Sequence, residues 1–413
     1  MTELPFHCRN CGGVAAHTFV DLGLSPLANS YVSPADAGKA DPSYPLHARV
    51  CDACLLVQVD DVVPADEIFS NSYAYFSSFS DSWLHHCERF ASAAIQRYAL
   101  NEKSLVLEIA SNDGYLLQFF KSAGIPVLGV EPTANTAAVA IEKGIPTRVD
   151  FFGSGLARKL VVEGVHPTLI TSANVLAHVP DIRDFASGVA LMLEGDAVYT
   201  VEFPQLLTLI ENAQFDTIYH EHFSYLSLFS TEQVLNAVGL RVFDVETLPT
   251  HGGSLRVHAC LANASHAEDA RVAEQRARES ADGLDSLTGY DGFGQKVEVI
   301  RKGLIDYLRT ARENGRRVAA YGAAAKGNTL LNYCEVDADA IAYVVDRNPA
   351  KQGKLLPGSH IPIKPVQALY DDPPDDILIL PWNIKDEVVA QLADLKDRGI
   401  RFLVAVPEMT TVS

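Results

Sequence analysis

Four cysteines stand in two pairs near the start of the chain, Cys8-x-x-Cys11 and Cys51-x-x-Cys54. Each pair can set two thiolates on one tight turn. Four thiolates together make a closed tetrahedral site that suits Zn²⁺, with soft donors, no redox chemistry and no open position for a substrate. The spacing therefore predicts a structural zinc ion. Two disulfides or a redox pair are the rival reading. Met1-Thr-Glu-Leu-Pro-Phe-His is not an apolar secretory signal, so a reducing, cytoplasmic setting is expected.

A second group of residues could hold a nucleoside. Leu105–Ile109 is a short apolar run that ends in Glu108-Ile-Ala110-Ser-Asn112-Asp-Gly114-Tyr115. Ligands of open parallel sheets bind at the carboxyl ends of strands, where this turn would lie. The next apolar run ends in Glu131, about 20 residues on, where a carboxylate can accept from both ribose hydroxyls. Asp150-Phe151-Phe152 then offers an acid to an adenine amino group and a ring to stack on it. The first turn has only Gly114, without the closely spaced glycines that admit a pyrophosphate, so S-adenosylmethionine (SAM) fits better than a nicotinamide cofactor. An ordinary turn capped by Asn112 or Asp113 is the plain alternative.

The elements that must position these groups follow from pattern. At 413 residues the chain is long enough for two or three domains. Hydrophobic content of 48% and charged content of 21% read as a globular protein, and no apolar run approaches a membrane span. A net charge of −19 argues against nucleic acid as a partner. Residues 1–65 read as the zinc-binding module, with strands flanking the second cysteine pair. Phe69, Tyr73, Tyr75, Phe76 and Phe79 form a dense aromatic stretch before a helix over 82–98. Strands at 105–109, 126–131, 169–172 and 196–202, separated by helices, predict a parallel sheet covered on both faces. Residues 66–263 form this central domain. Helices over 264–314 lead to strands at 317–322, 341–346, 376–380 and 401–406, so 264–413 hold a second α/β unit. Its first turn is weakly like that of the first. The fold class is α/β: a zinc-binding module, a central Rossmann-like domain and a C-terminal Rossmann-like domain.

The paired CxxC start, Glu108-x-Ala-x-Asn-x-Gly114, Asn174-Val-Leu-Ala-His178-Val and above all Tyr219-His-Glu-His222-Phe-Ser-Tyr225 together resemble the SAM-dependent sugar C-methyltransferases of antibiotic deoxysugar pathways. The resemblance covers essentially the whole chain. It implies a dTDP-linked 4-keto-deoxysugar as substrate, a SAM-methyltransferase central domain, and Asn174 as a further cofactor contact. One departure is Ala110, where many methyltransferases carry glycine.

C-methylation needs a carbon nucleophile, made by removing a proton next to a ketone and stabilising the enolate oxygen. A neutral histidine suits the base, and the resemblance assigns that role to His222. Tyr219 and Glu221 would then orient the base or the sugar, and the resemblance adds Tyr73 and His178 to the active site. His-x-His beside a glutamate is also a metal pattern, but it lacks the His-Glu-x-x-His spacing. On the substrate side, His251-Gly-Gly-Ser-Leu-Arg256 could bring backbone amides and a guanidinium to a phosphate. A tight hairpin turn accounts for it equally well. Gly322-Ala-Ala-Ala-Lys326-Gly-Asn328 opens a helix whose free amides plus Lys326 could hold a pyrophosphate, with close helix–sheet packing as the alternative. A monomer suffices for all of this. The competing functions are a nicotinamide-dependent nucleotide-sugar oxidoreductase centred on Gly322 and Asp346, and a non-catalytic zinc-anchored binding protein.

Overall fold

The computed structural model describes residues 6–60, 63 and 76–412, so Tyr73 and most of the aromatic stretch lie outside the described residues. In the cysteine-rich module β1 (His17–Pro26), β2 (Ser43–Val50) and β3 (Val57–Val59) form an antiparallel meander. The second cysteine pair is the turn between β2 and β3. Leu55 takes a left-handed φ of 56°, and the Cys51 and Leu55 amides close the turn on Leu56 and Cys51 carbonyls. That turn shortens the strand expected from residue 55.

The central domain is a seven-stranded sheet. Its strands are β4 (Val106–Ile109), β5 (Val127–Val130), β6 (Thr147–Arg148), β7 (Leu169–Ala173) and β8 (Val198–Pro204). After a short β9 (Ser224–Tyr225) come β10 (Leu240–Leu248) and β11 (Ser254–Leu261). The order is β10-β11-β8-β7-β4-β5-β6, with β4 to β8 mutually parallel and β11 antiparallel to β8. β4 is buried along its whole length, as a strand covered on both faces must be. Strand order reverses between β4 and β7, which opens a crevice at their carboxyl ends.

β9 does not belong to that sheet. It pairs antiparallel with β3, Val57 opposite Tyr225 and Gln58 opposite Ser224, and completes the sheet of the zinc module. The residues just before β9 are the Tyr219–His222 segment, so this segment is docked on a strand of another module. Nothing in the local pattern of 224–225 announces a strand.

The C-terminal unit has β12 (Val318–Tyr321), β13 (Val344–Val345), β14 (Ile363–Lys364), β15 (Asp376–Ile379), β16 (Arg401–Val404) and β17 (Thr410–Val412). Their order is β14-β13-β12-β15-β16-β17, parallel except for β17. The helix Phe293–Glu313 is more than a linker, because Phe293 stacks on Phe19 of β1 with ring centroids 4.3 Å apart. One apolar core runs from Phe19, Val50 and Val57 through Tyr225, Phe293 and Leu304 to Val318 and Leu331. The zinc module and C-terminal unit are thereby packed as one body. Among the described residues no helix is long and apolar enough to cross a membrane.

The glycines after His251 serve this packing. Gly252 and Gly253 have φ of 91° and 123°, and a Cβ on Gly252 would collide with the Trp382 indole. The indole Nε1 donates to Asp216 Oδ2 at 2.7 Å, which locks the C-terminal unit to the central domain. Gly252→Ala adds a left-handed conformational penalty to that collision and is expected to cost about 2 kcal/mol. Thermal denaturation checks this; an unchanged midpoint would contradict the account of the turn.

Candidate active site and metal centre

The four cysteine Sγ atoms lie within 4.8 Å of one another, the one such metal-ligating group among the described residues. Cys8 and Cys54 sulfurs are 3.5 Å apart and Cys11 and Cys51 sulfurs 3.4 Å, and all are free thiols, which removes the disulfide reading. Zn–S bonds of about 2.3 Å give tetrahedral S···S edges of about 3.8 Å, which fall between the shortest pairs and the 4.8 Å limit of this cluster, so only small side-chain adjustments separate it from a zinc tetrahedron. Amides of Gly13 and Ala53 point at Cys11 and Cys51 sulfurs at 3.4 Å each, donors that stabilise thiolate. The protein therefore holds a structural zinc.

Arg9, between the first two cysteines, reaches out of the module. Its amide donates to Gln58 Oε1 at 3.0 Å, and its guanidinium donates to the Val59 and Pro180 carbonyls at 2.5 and 2.9 Å. The guanidinium also lies 5.3 Å from the Phe223 ring centre. No spacing rule in the sequence marked Arg9.

At the cofactor crevice, Ala110, Asn112 and Gly114 all take positive φ (56°, 47° and 78°). Glycine is favoured at such a φ, which explains the residue common at Ala110 elsewhere; the methyl there costs about 1 kcal/mol. The Asn112 amide donates to Glu131 Oε2 and the Thr133 amide to Oε1, each at 2.9 Å. Glu131 thus caps the first turn from the end of β5. Asp346 does the same in the C-terminal unit, accepting from the Ala323 amide at 2.8 Å. The likeness of the two first turns is therefore physical.

Glu108 lies fully buried beneath the turn, with neither carboxylate oxygen in a close hydrogen bond. Burial pushes its carboxyl well above the usual range, the Glu131 and Asp113 charges add to this, and Tyr115 partly opposes it. Asp150 is exposed and Phe151 half exposed beyond β6, an acid and a ring available to an adenine. Asn174, at φ 56°, bonds His251 Nε2 at 3.0 Å. A buried carboxyl under the turn, an acid after β5, and an acid and ring after β6 fit a nucleoside carrying an amino-acid tail.

The Tyr219–His222 segment lies beside this crevice. His222 Nδ1 donates to the Thr217 carbonyl at 2.8 Å, which leaves Nε2 as the acceptor of the Tyr219 hydroxyl at 2.9 Å. His178 donates from Nδ1 to the Glu221 carbonyl at 2.8 Å and its ring meets His222 edge-on at 4.6 Å. Burial holds His222 well below the ordinary histidine range and His178 down to about 4. Both rings are neutral at neutral pH. Glu221 accepts from Asn29 Nδ2 at 2.6 Å, and burial pushes its carboxyl up to about 6. His220 points away and bonds the Pro45 carbonyl of β2 at 3.1 Å.

The four expected substrate residues are placed differently. Lys326 is half-buried, bonds Asn383 Oδ1 at 2.8 Å and lies 4.4 Å from the Trp382 ring centre; desolvation lowers its pKa. His251 joins the cofactor loop through Asn174, and burial holds it down to about 4. Asn328 is committed to structure, since its Nδ2 donates to the Ala28 carbonyl at 2.5 Å. Arg256 departs from expectation. It is buried in β11, between β10 and β8, where it bonds Glu202 at 2.6 Å and Glu246 at 3.1 Å and covers the Phe90 ring. Two carboxylates saturate its guanidinium, so it offers no free fork to a phosphate.

A zinc-clipped module, a seven-stranded sheet with a nucleoside crevice, and a desolvated tyrosine–histidine pair beside it define a SAM-dependent methyltransferase. Comparison with known proteins narrows the class. A zinc binding domain model matches residues 8–69, a methyltransferase domain model 83–245, and a C-methyltransferase C-terminal domain model 249–407. The C-methyltransferase NovU of Streptomyces niveus is 35% identical over 406 residues, 98% of this chain and 96% of that protein. The chain belongs to this C-methyltransferase family. Among solved structures, magnesium protoporphyrin IX methyltransferase of Synechocystis with bound SAM matches at 12% identity and TM-score 0.36, over 49% of this chain and 99% of that one. The PH0226 protein of Pyrococcus horikoshii matches at 14% identity and TM-score 0.37, over 46% and 95%. Both likenesses are too loose to bear on function.

Because β3 carries β9, zinc should support turnover as well as stability. Zinc removed by a chelator, verified by elemental analysis, is expected to lower the unfolding temperature and abolish methyl transfer together. Full activity in the zinc-free protein would contradict the coupling.

Proposed function

We propose that this enzyme deprotonates the carbon next to the 4-keto group of a dTDP-4-keto-deoxysugar and methylates that carbon, C3 in preference to C5, in antibiotic deoxysugar biosynthesis. The observation that carries the reading is the half-buried 2.9 Å contact between the Tyr219 hydroxyl and His222 Nε2. A relative named for C-methylation supports carbon as the acceptor atom.

A proton next to a ketone is acidic enough for a positioned imidazole, provided the enolate oxygen is stabilised as it forms. His222 is set up for this by its Nδ1 bond to Thr217, which fixes the tautomer with the lone pair on Nε2. Tyr219 then donates its hydroxyl to the enolate oxygen and frees Nε2 for the proton. His178 and Glu221 line the same wall, with Glu221 directed at the sugar. Glu108, the turn at Ala110, Asn112, Gly114 and Tyr115, Glu131, Asp150, Phe151 and Asn174 hold SAM, which when bound supplies an electrophilic methyl. Lys326 and His251 face the nucleotide-sugar side; the half-buried cation of Lys326 suits a pyrophosphate. Partial burial of the site by residues of separate modules limits the access of water to an enolate.

His222→Ala is expected to reduce turnover by ~10²–10⁴-fold while SAM binding, read by calorimetry, stays intact. Tyr219→Phe, which removes the oxyanion donor and keeps the ring, should cost ~10²–10³-fold in kcat. Near-normal rates in both variants would place the base and the donor elsewhere.

A further inference from the structure

Glu221 is held by a residue of another module. Asn29, in the loop after β1, donates from Nδ2 to Glu221 Oε1 at 2.6 Å. Asn29 is itself braced. The Tyr31 hydroxyl stands 3.2 Å from its Oδ1 and donates at 2.6 Å to the Ala323 carbonyl, in the turn after β12. Lys351 Nζ donates to that same carbonyl at 2.7 Å and stands 5.2 Å from the centre of the Tyr31 ring. Asp346, which anchors the Ala323 amide, is 3.7 Å from Lys351 Nζ. A continuous polar path therefore leads from the C-terminal unit through the zinc module to the Glu221 carboxylate. Among the described residues the other titratable groups around Glu221 are His178, on its backbone carbonyl, His220 and His222, on either side of it in the chain, and Tyr31, whose hydroxyl faces Asn29.

We propose that Asn29 is a positioning residue for the reaction: it fixes the direction of the Glu221 carboxylate and keeps that group ionised at the pH of turnover. This rests on the reading of Glu221 as part of the substrate-facing set. The direction of one oxygen is set by a donor that Tyr31 prevents from rotating. The charge follows from the balance at Glu221. Burial raises its pKa, and the Asn29 donor and the Lys351 charge lower it, with the balance at about 6. Losing the donor leaves burial less opposed, so the carboxyl would hold its proton to higher pH.

The test uses the full-length zinc-loaded enzyme, with Asn29→Ala and Asn29→Asp variants. Turnover is followed from pH 5.5 to 8.5. Glu221 ionisation is followed separately, by infrared difference titration against Glu221→Gln. Asn29→Ala is expected to move the Glu221 titration up by about one unit from about 6, giving ~5-fold slower turnover at pH 6, a loss that fades by pH 8.5. Asn29→Asp fills the same space and sets a second carboxylate against the first, so it should move the titration further and serves if the alanine variant fails to fold. A rate lowered by one factor at every pH, with the titration unmoved, overturns the proposal and leaves Asn29 a packing contact. A moved titration with full activity in Glu221→Gln upholds the positioning by Asn29 and removes Glu221 from the chemistry.

Discussion

The two-rung ladder between β3 and β9 is the contact on which the rest of the site depends. So short a pairing has little stability of its own. It persists because the turn before β3 is Cys51 to Cys54, clipped to Cys8 and Cys11, and because Arg9 fastens the clip to Val59, Pro180 and Phe223. Only Phe223 separates His222 from β9, so metal-binding energy in the first module fixes the backbone of the Tyr219–His222 segment, about 170 residues beyond Cys54. A closed Cys₄ site is therefore remote from the reaction in chemistry yet close to it in structure.

Closure of three modules over that segment also sets its electrostatics. His178, His222 and His251 are all held below the ordinary histidine range, Glu221 and Asp216 are both pushed up to about 6, and Lys326 is lowered. Every one of these shifts has burial as its first cause and favours the neutral form. A neutral imidazole in such a place is available as a base without prior loss of a proton. Its conjugate acid is costly alone, but it would form beside an enolate, and opposite charges attract strongly where water is absent. Tyr219, bridging the two, would stabilise the anion as it appears.

Much of this was legible in the residues. The zinc site is local, two turns with fixed spacing, and so are the strands that end in Glu108 and Glu131. The roles proposed for 174–178 and 219–225 rest on family resemblance, because a tyrosine–histidine contact three residues apart looks like any polar turn. Arg256 misled because a basic residue after two glycines has the look of a phosphate site. Its true partners, Glu202 and Glu246, lie on neighbouring strands that only the sheet brings together. Of the two glycines before it, Gly252 answers to Trp382, more than a hundred residues away, and Gly253 to Thr208, while Asn29 carries no local mark at all. What escaped sequence reading is uniformly contact between modules.

The central claim is that His222 removes the proton from the carbon beside the ketone. It is tested most directly by incubating the enzyme with a dTDP-4-keto-6-deoxysugar and S-adenosylhomocysteine in heavy water, so that the enolate can form but no methyl is available. Deuterium entering that carbon is read by NMR. The account predicts wash-in by the unaltered enzyme and its loss in His222→Ala. Undiminished wash-in in His222→Ala would contradict it.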